Sequence, residues 1–160
     1  MLTVLLVLQP AIGAGSGKGS RRVPPVVTPD KWGVLTVIQE SLGEPYEGKL
    51  AVAEVIRNRM RRKYASDGTV IGTVLRPSQF SGWNSRDPSL LMSAKADDDH
   101  MAVRDCIKAW IEAFEHETNT VSGSVLYHAD YVKPPWASAP SVKLICKKGR
   151  HLFYTDRGGA

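Results

Sequence analysis

The chain predicts an α+β fold, mainly helical with a small C-terminal antiparallel β-hairpin or sheet. Two patterns carry the prediction. Apolar residues recur at helical spacing through long stretches between Asp30 and Glu117, and short apolar runs flank a Lys-Lys-Gly-Arg turn after Asn119. Helices first and strands afterwards, with no internal repeat, point to segregated layers rather than alternating βαβ units. The 160 residues are one domain's worth of chain, and 42% hydrophobic with 23% charged leaves enough apolar material for a soluble core. That balance excludes a wholly disordered chain, a collagen and a multi-span membrane protein.

Residues 1–15 read as an apolar signal-like or weak signal-anchor segment. The run 2–14, LTVLLVLQPAIGA, is interrupted by Gln9 and Pro10 and falls short of the roughly 20 apolar residues that span a bilayer. Its length suits the apolar region of an export signal, with Ala11, Gly13 and Ala14 as small residues for cleavage. The basic residues Lys18, Arg21 and Arg22 follow the run instead of preceding it, so a core element or a start codon set too far upstream is the plainer alternative. Residues 16–30, rich in Gly, Ser, Pro and basic side chains, read as a linker. Residues 31–160 read as the folded domain.

Within that domain each element follows from local pattern. Thr28 or Asp30 caps a first helix through Trp32, Val34, Leu35, Val37, Ile38 and Leu42, ended by Gly43 and Pro45. A second helix starts near Glu47, with Leu50, Val52, Ala53, Val55, Ile56 and Met60 as its apolar positions. Lys49, Glu54, Arg57 and Arg61 are expected on its other faces. Residues 70–75 form a short apolar piece, and 76–88, rich in Ser, Pro, Gly and Asn, an ordered loop. A further long helix from about 98 to 117 carries a stripe of Val103, Cys106, Ile107, Trp110, Ile111 and Phe114. Asp97, Asp98 and Asp99 stand at the end where the helix dipole favours anions. Strands are expected at 124–127 and 144–146, a turn at 147–150 and the return strand of a hairpin at 151–154.

Several chemistries drop out by their missing motifs. His100, His116, His128 and His151 are scattered without metal-ligand spacing, and no phosphate-cradling glycine loop or GxSxG elbow occurs. Cys106 and Cys146 are too few for a disulfide scaffold and lie in no CxxC pair. They pair only where compartment and geometry allow, and otherwise serve as small apolar residues. No cofactor and no metal are expected.

What remains is carboxylates beside aromatics and amides. Helical geometry sets Glu40 one turn after Thr36 and one turn before Glu44. Partial desolvation and repulsion from Glu44 would both raise the Glu40 pKa, as a general acid requires. The plainer reading makes Glu40 a surface residue and Glu44 a turn carboxylate bonding backbone amides. Gln79-Phe80-Ser81-Gly82-Trp83-Asn84, and Tyr127-His128 with Pro134-Pro135-Trp136, set amides and hydroxyls between rings, the mixture that carbohydrate recognition uses. Core packing and a rigid Pro-Pro-Trp turn are the plainer readings there. The net charge of +5 favours polyanionic surroundings. The cluster Arg57, Arg59, Arg61, Arg62 and Lys63 reads either as a nucleic-acid surface or as a solvated helix C-terminus.

The stretch Glu40-Ser41-Leu42-Gly43-Glu44-Pro45-Tyr46-Glu47-Gly48-Lys49, continuing Ala51-Val52-Ala53-Glu54-Val55-Ile56-Arg57-Asn58-Arg59, resembles the opening motif of the spore-cortex-lytic type of cell-wall hydrolases. That motif runs roughly E-A-R-G-E-P-x-x-G-Q-x-A-V-A-x-V-x-x-N-R. Further blocks follow in family order at 69–74, Pro77-Ser78-Gln79-Phe80-Ser81, the alanine-rich long helix, Leu126-Tyr127-His128, Pro134-Pro135-Trp136 and 151–154, so the resemblance covers residues 32–154. Ser41-Leu42 replaces Ala-Arg and Lys49 replaces Gln, changes expected to tune the surface. Ala129 replaces the usual Asn after Tyr-His and removes an amide that would help hold a sugar.

The resemblance implies a lysozyme-like fold, as in lytic transglycosylases and goose-type lysozymes, and cleavage of the MurNAc–GlcNAc β-1,4 bond of peptidoglycan. Glu40 would be the catalytic acid and then the base. Gln79, Phe80, Ser81, Tyr127, His128, Trp136 and Tyr154 are the candidate substrate contacts, with Glu44 and Asn58 in support. Attack by the muramoyl 6-hydroxyl would give a 1,6-anhydro product, and attack by water would make the enzyme a muramidase. The implied partner is the glycan strand, acted on by a monomer exported to the periplasm or cell wall, with transient inner-membrane association through residues 2–14. Small size and the apolar run suggest a phage endolysin acting in host lysis. A bacterial wall-remodelling or germination enzyme, a non-enzymatic wall-binding module and a nucleic-acid-binding protein are the alternatives.

Overall fold

The computed structural model describes residues 29–84 and 100–157. The apolar run, most of the expected linker, Asp97–Asp99 and the end of the 76–88 loop lie outside the described residues. The α+β prediction holds. Among the described residues four α-helices are followed by a three-stranded antiparallel sheet.

Helix α1 (Pro29–Ser41) opens on a proline, whose missing N–H costs nothing in a first turn. It stops before a turn that Pro45 cannot continue as helix. Helix α2 (Tyr46–Arg62) closes on Lys63, a left-handed residue whose N–H returns to the Arg59 and Met60 carbonyls. Helix α3 (Val70–Val74) is capped by the Thr69 hydroxyl, which accepts from the Gly72 N–H at 2.9 Å.

Helix α2 is the hub of the molecule. Every residue from Gly48 to Arg59 is buried, because α1, the long helix over 100–115 and the sheet surround it. This overturns the expectation that Lys49, Glu54 and Arg57 face solvent; within the helix only Glu47 in the first turn and Arg61 and Arg62 at the end are exposed. The buried charges are matched instead. Glu54 accepts from the Thr120 N–H (3.0 Å), the Thr120 hydroxyl (3.1 Å) and the Val121 N–H (3.0 Å). Arg57 donates to the Ala113 and Thr118 carbonyls, each at 2.5 Å. Lys49 donates to the Glu44 carbonyl, and Ser41, also buried, bonds the Val37 carbonyl at 2.6 Å. Neither Ser41 nor Lys49 therefore tunes the surface. With Arg57 and Arg59 both buried, the basic cluster makes no continuous surface for nucleic acid.

Helix α4 (His100–Glu115) turns inward a face rotated from the expected stripe: Cys106 and Trp110 are buried and Val103 and Phe114 pack against the core as expected, but Ile107 and Ile111 do not. Ala102, Cys106, Ala109, Trp110 and Ala113 are buried, while Ile107 and Ile111 remain 39% and 40% exposed. Small alanines at helical spacing let α4 approach α2 closely, and the bulkier isoleucines are rotated outward. Burial pushes the Cys106 thiol up to about 11, and Cys146 is likewise a free thiol.

Strands β1 (Leu126–Ala129), β2 (Val142–Lys148) and β3 (His151–Asp156) lie in the order β1-β3-β2. The expected hairpin is β2–β3, longer on both arms than its apolar runs. Gly149, at φ +53°, supplies the first residue of its two-residue turn. The first strand begins two residues later than expected and pairs with the last, setting Tyr127 opposite Phe153. Among the described residues no helix is long and apolar enough to cross a membrane.

Candidate active site

Glu40 stands on the last turn of α1, half-buried, in the wall of a cleft of about 310 Å³ between α1, the 79–82 loop and the sheet. One carboxylate oxygen accepts from the Ser81 hydroxyl (3.2 Å) and the Gly82 N–H (3.4 Å); the other accepts from the Tyr127 hydroxyl (3.1 Å). Three donors from two segments distant in sequence thus converge on one carboxyl. Burial, and secondarily the adjacent Glu40 charge, hold the Tyr127 phenol well above its ordinary 10, so it stays a protonated donor.

The supports of these donors are visible one layer out. Trp83 follows Ser81 and Gly82 in a 3-10 turn (Ser81–Asn84), its ring 5.2 Å from that of Trp32. Its indole N–H donates to the Thr36 hydroxyl at 2.9 Å, which anchors the turn one helical turn below Glu40. Gly82 gives the turn its close approach to α1, because a Cβ there would run into the Gln39 side chain, its own Cβ at 2.9 Å included. Tyr127 is wedged by its contacts with His151 and Phe153. Arg59 ties the parts together. It donates to the Val125 carbonyl (2.6 Å) and the Gln79 carboxamide (3.4 Å), and its guanidinium lies 5.0 Å from the Phe80 ring centroid. Burial lowers its pKa, opposed by Tyr127, Tyr64 and Glu40.

Of the candidates named from sequence, Gln79, Ser81, Tyr127 and His128 line the cleft with Glu40. Phe80 does not; it is 1% exposed and packs in the core. Tyr154 is buried behind the cleft, where its hydroxyl meets His128 Nε2 at 2.8 Å and its ring stacks on the imidazole. Trp136 packs edge-on against both rings and faces a second hollow of about 600 Å³, which adjoins the first through Arg59, Gln79 and Tyr127. Asn58 is a brace, donating to the Ser124 carbonyl at 3.0 Å.

Glu44 plays the plainer part. Helix α1 ends at Ser41, so Glu44 does not continue the helical row from Glu40. Its carboxylate accepts the Arg150 N–H at 2.7 Å and sits against the Gly149 turn, and it does not line the cleft. Five lining residues were not among the substrate contacts named from sequence: Gln39, Arg59, Ala129, Tyr131 and His151. Only the matched blocks around Arg59, Ala129 and His151 gave any sign of them. His151 is buried, and that burial, opposed by Glu44, Glu40 and Asp130, lowers its pKa below the ordinary 6.5. Among the described lining residues Glu40 is the only carboxylate. No cluster of three His, Cys, Asp or Glu side chains among the described residues is placed to hold a metal ion.

A protein-family model described as cell wall hydrolase matches residues 43–154. The spore cortex-lytic enzyme of Oceanobacillus iheyensis is 34% identical over 120 residues, which is 73% of this chain and 38% of that protein. The chain therefore spans well under half of that relative. Among solved structures, the catalytic domain of the germination-specific lytic transglycosylase SleB from Bacillus anthracis superposes with a TM-score of 0.59 at 24% identity, covering 82% of this chain and 98% of that one. The catalytic domain of Bacillus cereus SleB gives 0.55 at 23% identity, covering 86% and 98%. These likenesses establish the fold. Glu40 lies just before the matched span, so its role rests on the cleft geometry and on the motif.

Proposed function

The chain belongs to the cell wall hydrolase family, and from that premise we propose that it cuts the MurNAc–GlcNAc β-1,4 bond of peptidoglycan as a lytic transglycosylase. The observation that carries this reading is a single carboxyl, Glu40, held by three donors in a polar cleft with no second described carboxylate lining it. Hydrolysis by an inverting or retaining glycosidase ordinarily uses two carboxyl groups. A transglycosylase needs one, because its nucleophile belongs to the substrate.

Protonated Glu40 gives its proton to the glycosidic oxygen as the C1–O bond breaks and positive charge grows on the muramoyl ring. The resulting carboxylate then takes the proton of that ring's 6-hydroxyl as its oxygen closes on C1. Glu40 ends protonated, and no water is consumed. Ser81 and Tyr127 can follow the change, since a hydroxyl either donates to a carboxylate or accepts from a carboxylic acid. Gly82 contributes a fixed N–H on the same oxygen as Ser81.

Glu40→Gln should keep the circular dichroism spectrum and lose release of soluble muropeptides by at least about a thousandfold. A variant that retains activity removes Glu40 from the role of acid. Mass spectrometry of the wild-type digest should show 1,6-anhydromuramoyl ends; reducing ends would make the enzyme a muramidase. The finer role proposed is host lysis by a phage enzyme exported to the periplasm. It is supported by the apolar run 2–14 and the net charge of +5, which suits an anionic envelope. Fusing residues 1–28 to a reporter active only in the periplasm tests export, and a silent reporter defeats it.

A further inference from the structure

Tyr131 combines two properties that rarely meet. It is 73% exposed, and it lines the same cleft as Glu40. An aromatic ring left in water at a cleft wall is a surface for the C–H face of a sugar. The Arg150 guanidinium lies over this ring, 5.2 Å from its centroid, and the residue still keeps most of its surface in solvent.

The pair is set on tied backbone. The Asp130 N–H donates to the Arg150 carbonyl at 2.7 Å, the Arg150 N–H donates to Glu44 at 2.7 Å, and the Val132 N–H closes a turn on the Ala129 carbonyl at 2.9 Å. Lys147 beside it is neutralised by Asp130 at 2.8 Å. Arg150 forms no ion pair among the described residues. Its forked donors lie beside the lining residue Tyr131, within the field of Asp130 but not ion-paired to it, in a shape that matches a carboxylate.

We propose that Tyr131 and Arg150 form a carboxylate-reading sugar platform, selecting glycans whose muramoyl residues carry an acidic group over neutral β-1,4-linked N-acetylglucosamine chains. This rests on the peptidoglycan reading above and deepens it. The sugar ring stacks on Tyr131 while a carboxylate of the same muramoyl unit meets Arg150. That carboxylate comes either from the lactyl ether or from the peptide stem.

The test compares wild type, Arg150→Gln, Arg150→Lys and Tyr131→Ala on intact peptidoglycan, on strands stripped of stems by an amidase, and on chitin oligomers. Arg150→Gln keeps the backbone bonds that hold the turn. It should raise KM on muramoyl strands about tenfold, the scale of one charge-assisted contact, and abolish the salt dependence of that KM. Preference for muramoyl strands over chitin oligomers should fall by the same factor. Arg150→Lys should restore the salt dependence, and Tyr131→Ala should raise KM on every substrate. A loss on intact strands alone assigns the stem carboxylate; a loss on stripped strands alone assigns the lactyl carboxylate, which the amidase frees from its amide bond; a loss on both shows that Arg150 reads whichever carboxylate the muramoyl unit carries. Unchanged KM and salt dependence in Arg150→Gln overturn the proposal. A wild type that cuts none of the substrates defeats the underlying reading instead. Calorimetric titration with a soluble muropeptide then still decides the pair, because equal affinities for wild type and Arg150→Gln would refute it without any turnover.

Discussion

At the scale of single residues, Glu40 takes its donors from different layers, which makes their contributions separable. Tyr127→Phe removes the only described donor to one carboxylate oxygen, whereas Ser81→Ala leaves the Gly82 N–H on the other. The expected result is a fall in kcat of about tenfold or more for Tyr127→Phe and a smaller one for Ser81→Ala, read from muropeptide release at saturating substrate. Gly82→Ala should act through geometry. Its methyl group would meet the Gln39 carboxamide and push the turn off Glu40, so activity should fall far more than the melting temperature. Glu40, Ser81 and Tyr127 were legible because motif order and residue chemistry agreed on them. Gln39, Tyr131 and His151 were not named as lining residues, because what brings them to the cleft is the approach of a turn and a sheet edge. No local pattern encodes that approach.

Among the elements, α2 shows where periodicity stops being informative. Its apolar spacing correctly predicted a helix, and the polar residues between were then assigned to solvent by type. Burial on all sides reverses that assignment, since the partners of Glu54 and Arg57 are backbone groups of the 113–121 segment, far along the chain. A sequence shows neither those loop carbonyls and amides nor their direction. Glu54→Ala leaves three donors without their acceptor and should destabilise by about 3 kcal/mol, measured by urea unfolding. A change below about half a kcal/mol, the size of an ordinary surface substitution, would mean that water replaces the carboxylate without penalty. The same blindness explains α4, where alanines proved to be the contact residues and isoleucines the exposed ones.

For the molecule as a whole, His151 links stability to pH. Burial holds its pKa below 6.5 in the folded state. As pH falls through 6.5 the unfolded chain therefore takes up a proton that the folded chain refuses. Stability is complete above that value and is lost as pH drops toward the folded pKa. His151→Phe should flatten this dependence; the melting temperature of wild type should fall more than that of the variant between about pH 8 and about pH 5. Equal slopes would show that the imidazole does not titrate differently on folding.

The order β1-β3-β2 has a further consequence. The strand carrying Tyr127 finds its partner only in residues 151–156. While a ribosome is still extending the chain, the helix bearing Glu40 is already outside, yet the phenol that completes its surroundings has nothing to pair with. A nascent copy truncated at Arg150 is therefore expected to be harmless to a wall, because the surroundings of Glu40 stay incomplete until residues 151–156 have been made and folded back.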